Sequence, residues 1–383
     1  MGIKTLIAIL ATVGFSVNAL AEHHEGEKQP FSITGDFAAS MSFHDNENNN
    51  AARTHDTFVG DLVQFNMEKN WGKSNFLMTI GYGQTVRALN AASGADVATA
   101  TGFTDSIDVL QARYNYSTSY GLGVTFGKFE SPVGHETYNH MDNSNYMRSY
   151  GFNLAPFFST GGRIDYGQDM WKVGLIVSNG SGMESDLRDN NKTMALVVDV
   201  DPMENLHIDL NYVTGTEGDA TGGDLAAAPI KSHQINIMDV SAAYMINEMF
   251  DVAVNYISHT QEPSAGGTEN EATSIAAYAN ANLGMFGLGL RFEQFEYDNG
   301  IFAYNGLSGA AASFGPNPLG ATVADNTITS ITLTARAEID QNAVFLLEYR
   351  QDSSDENIWF DENTPLQPTD SQSTIMAAVM YRF

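Results

Sequence analysis

Phe31-Ser32-Ile33-Thr34-Gly35-Asp36-Phe37-Ala38-Ala39-Ser40-Met41-Ser42-Phe43 alternates from end to end. Phe31, Ile33, Gly35, Phe37, Ala39, Met41 and Phe43 fall on one face, and Ser32, Thr34, Asp36, Ala38, Ser40 and Ser42 on the other. That period of two belongs to a strand rather than to a helix. A strand of a soluble sandwich alternates in the same way, so the series around this segment decides between them. Strand-like segments recur near 31–43, 57–68, 76–87, 104–117, 121–128, 161–167, 170–178 and 192–200, then near 206–214, 233–246, 250–259, 271–281, 286–297, 326–338, 342–351 and 373–383. Most have the roughly 9–11 residues with which a tilted strand crosses a bilayer.

The connections between these segments sort into two kinds. Counted from the N-terminus, the even ones are short, as at Gln168-Asp169, around Ser119, at Asn247-Glu248-Met249 and at Ile339-Asp340-Gln341. The odd ones are long, the extremes being 129–160, 298–325 and 352–372, and they are polar, as in His44-Asp45-Asn46-Glu47-Asn48-Asn49-Asn50. Short turns at one rim and long loops at the other mark an outer-membrane barrel, whereas a sandwich has no cause to sort its loops. No linker divides the chain. Residues 22–383 are therefore expected to form one all-β domain, a transmembrane antiparallel β-barrel of about 16 strands.

The N-terminus reads as an export signal: Lys4, an uncharged apolar stretch from Thr5 to Val17, then the small-x-small site Ala19-Leu20-Ala21 with Glu22 beginning the mature chain. After it, no apolar run approaches the roughly 20 residues of a helical span. The absence of cysteine excludes a lipoprotein anchor, a disulfide framework and thiolate metal sites. With 46 acidic and 18 basic residues the net charge is −28, which argues against nucleic acid as a partner.

In a membrane barrel the apolar face must look at lipid and the other at the lumen. In 206–214, Leu206, Ile208, Leu210 and Tyr212 then point outward, and His207, Asp209 and Asn211 inward. In 342–351, Ala343, Phe345, Leu347 and Tyr349 point outward, and Glu348 and Arg350 inward. Segments 233–246 and 271–281 alternate too poorly to assign. Tyr114, Tyr116, Trp171, Tyr256 and Tyr381 suit the aromatic girdles at the membrane interfaces. Parity also turns Arg113, Arg163, Arg291, Arg336, Arg350 and Arg382 inward, beside Asp165, Glu293, Glu338 and Glu348. One reading makes these charges mutual struts of the wall; the other makes them a charged constriction that screens solutes.

The loop 129–160 carries Tyr138, Tyr146, Tyr150, Phe152, Phe157 and Phe158, an aromatic content costly to leave in water. Long loops without structure of their own are usually functional. This one is expected to fold back into the lumen, with Lys128, Glu130, His135, Glu136, Asp142 and Arg148 as its charged residues at the narrow point. Here the sequence Gly127-Lys128-Phe129-Glu130-Ser131-Pro132-Val133-Gly134-His135-Glu136 is followed by Asn143-Ser144-Asn145-Tyr146-Met147-Arg148-Ser149, then Pro156 and Thr160-Gly161-Gly162-Arg163-Ile164-Asp165-Tyr166. This run resembles the β-barrel porin-2 (OmpL-like) family of bacterial outer-membrane porins. The resemblance implies a channel for small hydrophilic solutes or ions, without naming the solute. Outer-membrane lipid, lipopolysaccharide, the β-barrel assembly machinery and further copies of the chain in a homotrimer are the partners that go with such a protein.

Other motifs carry less. His23-His24-Glu25 with Glu27 has metal-ligand chemistry but sits in a tail. His135-Glu136 lacks a second histidine at helical spacing, and Gly121-x-Gly123 lies on a strand, so neither a zinc protease nor a nucleotide loop is supported. No Gly-x-Ser-x-Gly elbow occurs, Ser181 has no evident base, and the acidic-glycine run 219–224 reads as solvated loop. No cofactor, metal site or catalytic set is expected. The alternatives to a porin are a barrel used as an adhesion surface or one carrying an embedded hydrolase.

The last segment ends Ile375-Met376-Ala377-Ala378-Val379-Met380-Tyr381-Arg382-Phe383, with Ile375, Ala377, Val379, Tyr381 and Phe383 outward. Such an end, with Tyr381 and Phe383, suits the signal read by the assembly machinery. Replacing Phe383 with Asp should lower the amount of folded, heat-modifiable protein in the outer membrane, measured by semi-native electrophoresis of membrane fractions.

Overall fold

A chain that crosses hydrocarbon must satisfy every backbone N–H and C=O within itself, and strands do so only by closing into a ring. The computed structural model describes residues 31–44, 46–47, 58–92, 107–180, 191–218, 232–263, 269–298, 325–361 and 368–383. The strands are β1 (Ser32–His44), β2 (Phe58–Trp71), β3 (Ser74–Tyr82), β4 (Ile107–Ser117), β5 (Leu122–Glu130), β6 (Phe158–Gln168), β7 (Trp171–Ser178) and β8 (Thr193–Met203). They continue as β9 (Leu206–Gly218), β10 (Ser232–Asn247), β11 (Phe250–Pro263), β12 (Asn270–Asn282), β13 (Phe286–Tyr297), β14 (Asn326–Glu338), β15 (Ala343–Ser354) and β16 (Ser371–Arg382). Each pairs antiparallel with its chain neighbours, and β16 pairs with β1 to close the barrel. The 16 strands and the alternation of short turns with long loops are those expected from the sequence. The export signal, His23-His24-Glu25, Ser181 and the run 219–224 lie outside the described residues.

The two faces separate as the alternation requires. In β13 every even residue from Phe286 to Glu296 is exposed, and the odd residues from Gly289 to Tyr297 are buried. Leu196, Leu210, Val254, Ile275, Leu333 and Leu347 are exposed on the outside, the belt that hydrocarbon would cover. The inner faces of β10 and β12, unassigned from sequence, are now fixed. Ile235, Ile237, Asp239 and Ser241 face in from β10, and Ala272, Ser274, Ala276 and Tyr278 from β12.

One expectation needs correcting. The strand placed at 76–87 ends at Tyr82, and Gln84–Ala92 is a helix, α1. Gly83, at φ 127, breaks the strand. Val86 and Leu89, one helical turn apart, are then buried in a cluster with Leu62 and Leu110. Tertiary packing thus overrides a pattern compatible with either structure. At the far rim, backbone pairs join Phe360 to Glu47 and Pro368, and Asp361 to Asn46. Beside them Ile358 and Trp359 are buried in a cluster with Tyr150, Phe295 and Ile328.

The seam joins the first strand, β1, to the last, β16. Gly35 N donates to Phe383 O and Phe383 N to Gly35 O, each at 2.9 Å, so the terminal residue extends the β1–β16 ladder. The Phe383 ring lies edge-on to Phe65, with centroids 5.8 Å apart, directly over Gly35. A Cβ at position 35 would collide with Phe383 Cζ and come within 2.6 Å of Gln64 O. Gly35→Ala should therefore cost about 1–3 kcal/mol by overpacking. The checking measurement is the temperature at which the folded electrophoretic band converts, which should fall; trimming the ring in Gly35→Ala/Phe383→Leu should recover part of the loss.

Candidate functional site

Residues 131–157, which connect β5 to β6, lie against the inner wall of the barrel. The contacts are made chiefly by the loop's backbone. Glu348 on β15 accepts Tyr146 N at 2.6 Å with Oε2 and Met147 N at 2.7 Å with Oε1. Glu293 on β13 accepts Tyr150 N at 2.9 Å and Gly151 N at 2.8 Å, one with each oxygen. Asp239 on β10 accepts Gly134 N at 3.0 Å, and is itself steadied by Asn211 and Asn255. Guanidiniums take the carbonyls: Arg350 donates to Arg148 O at 2.7 Å, and Arg291 to Met147 O at 2.8 Å. Asn139 reaches Asp36 on β1 at 3.0 Å, and Tyr146 Oη reaches Asp61 on β2 at 2.7 Å. The loop is therefore tied to walls on several sides of the lumen.

Arg148 folds the loop on itself. Fully buried, it donates to the carbonyls of Thr137, Tyr138 and Tyr146. Burial pushes its guanidinium down to about 10, with Glu136 pulling the other way, so it stays charged at neutral pH. Burial pushes the Glu136 carboxyl up, but Arg291 and Arg148 outweigh it and hold it below the usual carboxylate range. Arg291 pairs with Glu136 at 2.6 Å. The His135 ring lies tilted against that of Tyr278 with centroids 4.6 Å apart, and burial lowers its pKa against the pull of Glu136, Asp209, Asp239 and Asp251. Gly151 meets the wall so closely that a Cβ there would lie 2.6 Å from Ser274 Oγ.

The charged residues singled out from sequence fall into two sets. Arg291, Glu293, Glu348 and Arg350, with Glu136 and Arg148 from the loop, are buried and bind the loop to the wall. Arg291 and Arg350 consequently face backbone and carboxylates rather than water, the Arg350 partner being Asp352 at 2.8 Å. The second set keeps contact with the lumen. Arg163 and Asp165 pair at 2.6 Å with 15% and 14% of their side chains exposed. Arg113 lies close to Glu68, Arg163 and Glu130. Arg336 donates to Asn143 O at 3.2 Å and, with Glu338, lines a cavity of ≈ 370 Å³ beside the short turn at Gly284. Arg382 bridges Asp36 and Asp142. Lys128 pairs with Asp108 at 3.0 Å and stands over the Phe158 ring. Tyr381 and Phe383 lie at the outer seam. Sequence reasoning missed Asp36, Glu68 and Asp239. Parity had put Asp36 inward, but only the folded loop shows what it meets.

A closed 16-stranded barrel with an apolar belt, charged lumen and a loop tied inside is the architecture of an outer-membrane porin. The chain belongs to the family described as "Putative beta-barrel porin-2, OmpL-like", whose model matches residues 31–383. No curated relative matches the sequence. Among solved structures it is similar to in-vitro-folded OmpT of Vibrio cholerae in its trimer form, at 10% identity and TM-score 0.59, covering 92% of this chain and 99% of that one. It is also similar to the anion-selective porin from Comamonas acidovorans, at 10% identity and TM-score 0.57, over 92% and 99%. A third is Salmonella typhi OmpF in complex with daunomycin, at 9% identity and TM-score 0.56, over 93% and 98%. At these identities the likeness is one of fold.

Each wall carboxylate that accepts two loop N–H groups should contribute several kcal/mol, since a hydrogen bond to a charged group gives about 1.5–3 kcal/mol. In Glu293→Ala/Glu348→Ala the barrel should stay folded while the amides of Tyr146, Met147, Tyr150 and Gly151 lose protection. Hydrogen exchange in detergent should show at least tenfold faster exchange at those four positions and little change in the strands.

Proposed function

We propose that this porin is a passive, non-enzymatic channel for small hydrophilic solutes or ions, narrowed between the loop 131–157 and the inner wall formed by β2 to β6. The observation that supports it is the division of the lumen charges into a buried set that holds the loop and a partly exposed set beside it. In the second set, Arg113, Arg163, Arg336 and Arg382 stand near the acids Glu68, Glu130, Asp142, Asp165 and Glu338. Opposed charges across a narrow wet gap orient dipolar solutes and slow apolar ones. The acid excess of the whole chain enriches cations at the mouths in dilute salt, an effect screened beyond about 8 Å at physiological ionic strength.

A channel rather than an enzyme is also the reading favoured by the partners of the loop's polar groups. Glu136 is committed to Arg291 and Ser149, and the His140 ring lies against Thr85 Oγ1 at 3.0 Å and stacks on Tyr146. Residues 1–21 direct export and are removed, and Tyr381 and Phe383 engage the assembly machinery. In the outer membrane, lipid and lipopolysaccharide surround the belt, and three copies associate, as the trimer form of a similar barrel suggests.

Planar-bilayer recording of the purified mature protein should show discrete conductance steps. In a KCl gradient, Arg113→Ala/Arg163→Ala should shift the reversal potential toward cation preference relative to the unmodified protein. An unchanged potential in folded variant would mean that these arginines do not face the conducting path.

A further inference from the structure

Between the edge of the loop and the inner face of β1, β2 and β4 lies a recess of ≈ 320 Å³. Asp36, Glu68, Glu130 and Asp142 contribute carboxylates to it, and Arg382 stands at its rim. Arg382 is already bound to Asp36 and Asp142. Glu68 and Glu130 have Arg113 as their nearby cation, so four carboxylates face two guanidiniums.

A second observation in the recess is independent of this charge. Gln64 is only 3% exposed, and its Nε2 donates to Asp36 Oδ2 at 2.7 Å. Its Oε1 is buried and accepts no hydrogen bond from any described residue. An acceptor left in that state costs about 1–3 kcal/mol, which a donor from a bound molecule would recover. Carboxylates and an amide oxygen are acceptors, and an ammonium group carries three donors and no acceptor. The volume is within the roughly 300–1,000 Å³ of small-molecule pockets. A bare metal ion is a poorer occupant, since no group of three or more acidic or histidine side chains among the described residues is placed to hold one.

We propose that this recess is a binding subsite for small organic cations bearing primary ammonium groups, held by Glu68 and Glu130, with Gln64 Oε1 accepting an ammonium hydrogen. The assignment rests on the channel reading, because the solute reaches the recess through the lumen. It adds a solute class to that reading, and it places solute contact on β2 and the end of β5 rather than on the arginines of β4 and β6.

The test is calorimetric titration of the folded, detergent-solubilised barrel with 1,4-diaminobutane at low salt. The unmodified protein should give a saturable signal. Glu68→Gln and Gln64→Leu should each weaken binding at least fivefold, whereas Arg113→Ala, by removing a repelling charge, should tighten it at least twofold. Asp199→Asn, outside the recess, should bind as the unmodified protein does. No saturable signal, equal binding of succinate, Glu68→Gln binding unchanged, or tighter saturation by magnesium chloride alone would each overturn the proposal. Bilayer currents separate the two readings. Diamine binding without conductance would sink the channel and leave the subsite, and conductance without diamine binding would sink the subsite alone.

Discussion

Everything in this molecule depends on the closure of a hydrogen-bonded ring. In hydrocarbon an unpaired backbone group has no water to turn to, so a sheet edge is excluded at that depth. The first and last strands must therefore find each other across the full length of the chain. They do so in register from Asp36 opposite Arg382 to His44 opposite Thr374, and the reciprocal bonds of Gly35 and Phe383 carry the ladder to the final residue. The missing side chain at Gly35 is what lets the terminal ring lie flat over the joint.

Closure creates an inside, and the inside has two environments rather than one. On β4 and β6 the charges Arg113, Arg163 and Asp165 stay partly exposed, although Leu62 and Leu110 nearby are buried with loop residues. Toward β10 to β15 the wall meets the returning loop, and there it behaves like the core of a soluble protein, with Ile237, Ile257, Phe295 and Ile328 clustered around Tyr150 and Leu154. Charged groups buried in that half survive because each is held by several partners. Arg350 has Asp352, the Arg148 carbonyl and the Tyr150 ring, and Glu293 has two amides and the Ser274 hydroxyl. Left without them, a buried charge would be strongly destabilising.

The same division explains what could be read from the sequence. Strands with an apolar outer face and a polar inner face alternate cleanly, and β1, β9 and β15 are legible residue by residue. β10 is not, because Ile235 and Ile237 are buried inside, Ile237 clustered with Tyr150 and Leu154 of the loop, while Met238 and Tyr244 are exposed outside, so both faces are apolar. α1 was hidden for a similar reason: Val86 and Leu89 suit either period until Leu62 and Leu110 supply the surface on which they pack. Parity could say that Arg113, Arg163, Arg291 and Arg350 point inward. It could not say that two would meet backbone and two would meet solvent, since that depends on where a distant loop comes to rest.

The carboxylates that hold the loop grip its main chain. Glu348 and Glu293 accept peptide hydrogens from Tyr146, Met147, Tyr150 and Gly151, and would accept them from other residues in the same backbone conformation. Side chains are constrained as well: Ser274 leaves no room for a Cβ at Gly151, Tyr146 Oη reaches Asp61, and the Tyr150 ring stacks on Phe295. The wall thus works as a socket that fixes the path of the insert through its main chain and its buried side chains, and leaves the lumen-facing ones free of that duty. A barrel of this kind can acquire a different selectivity by exchanging exposed loop residues such as Asp142, 43% exposed, while the buried anchors and the scaffold that spans the membrane stay as they are.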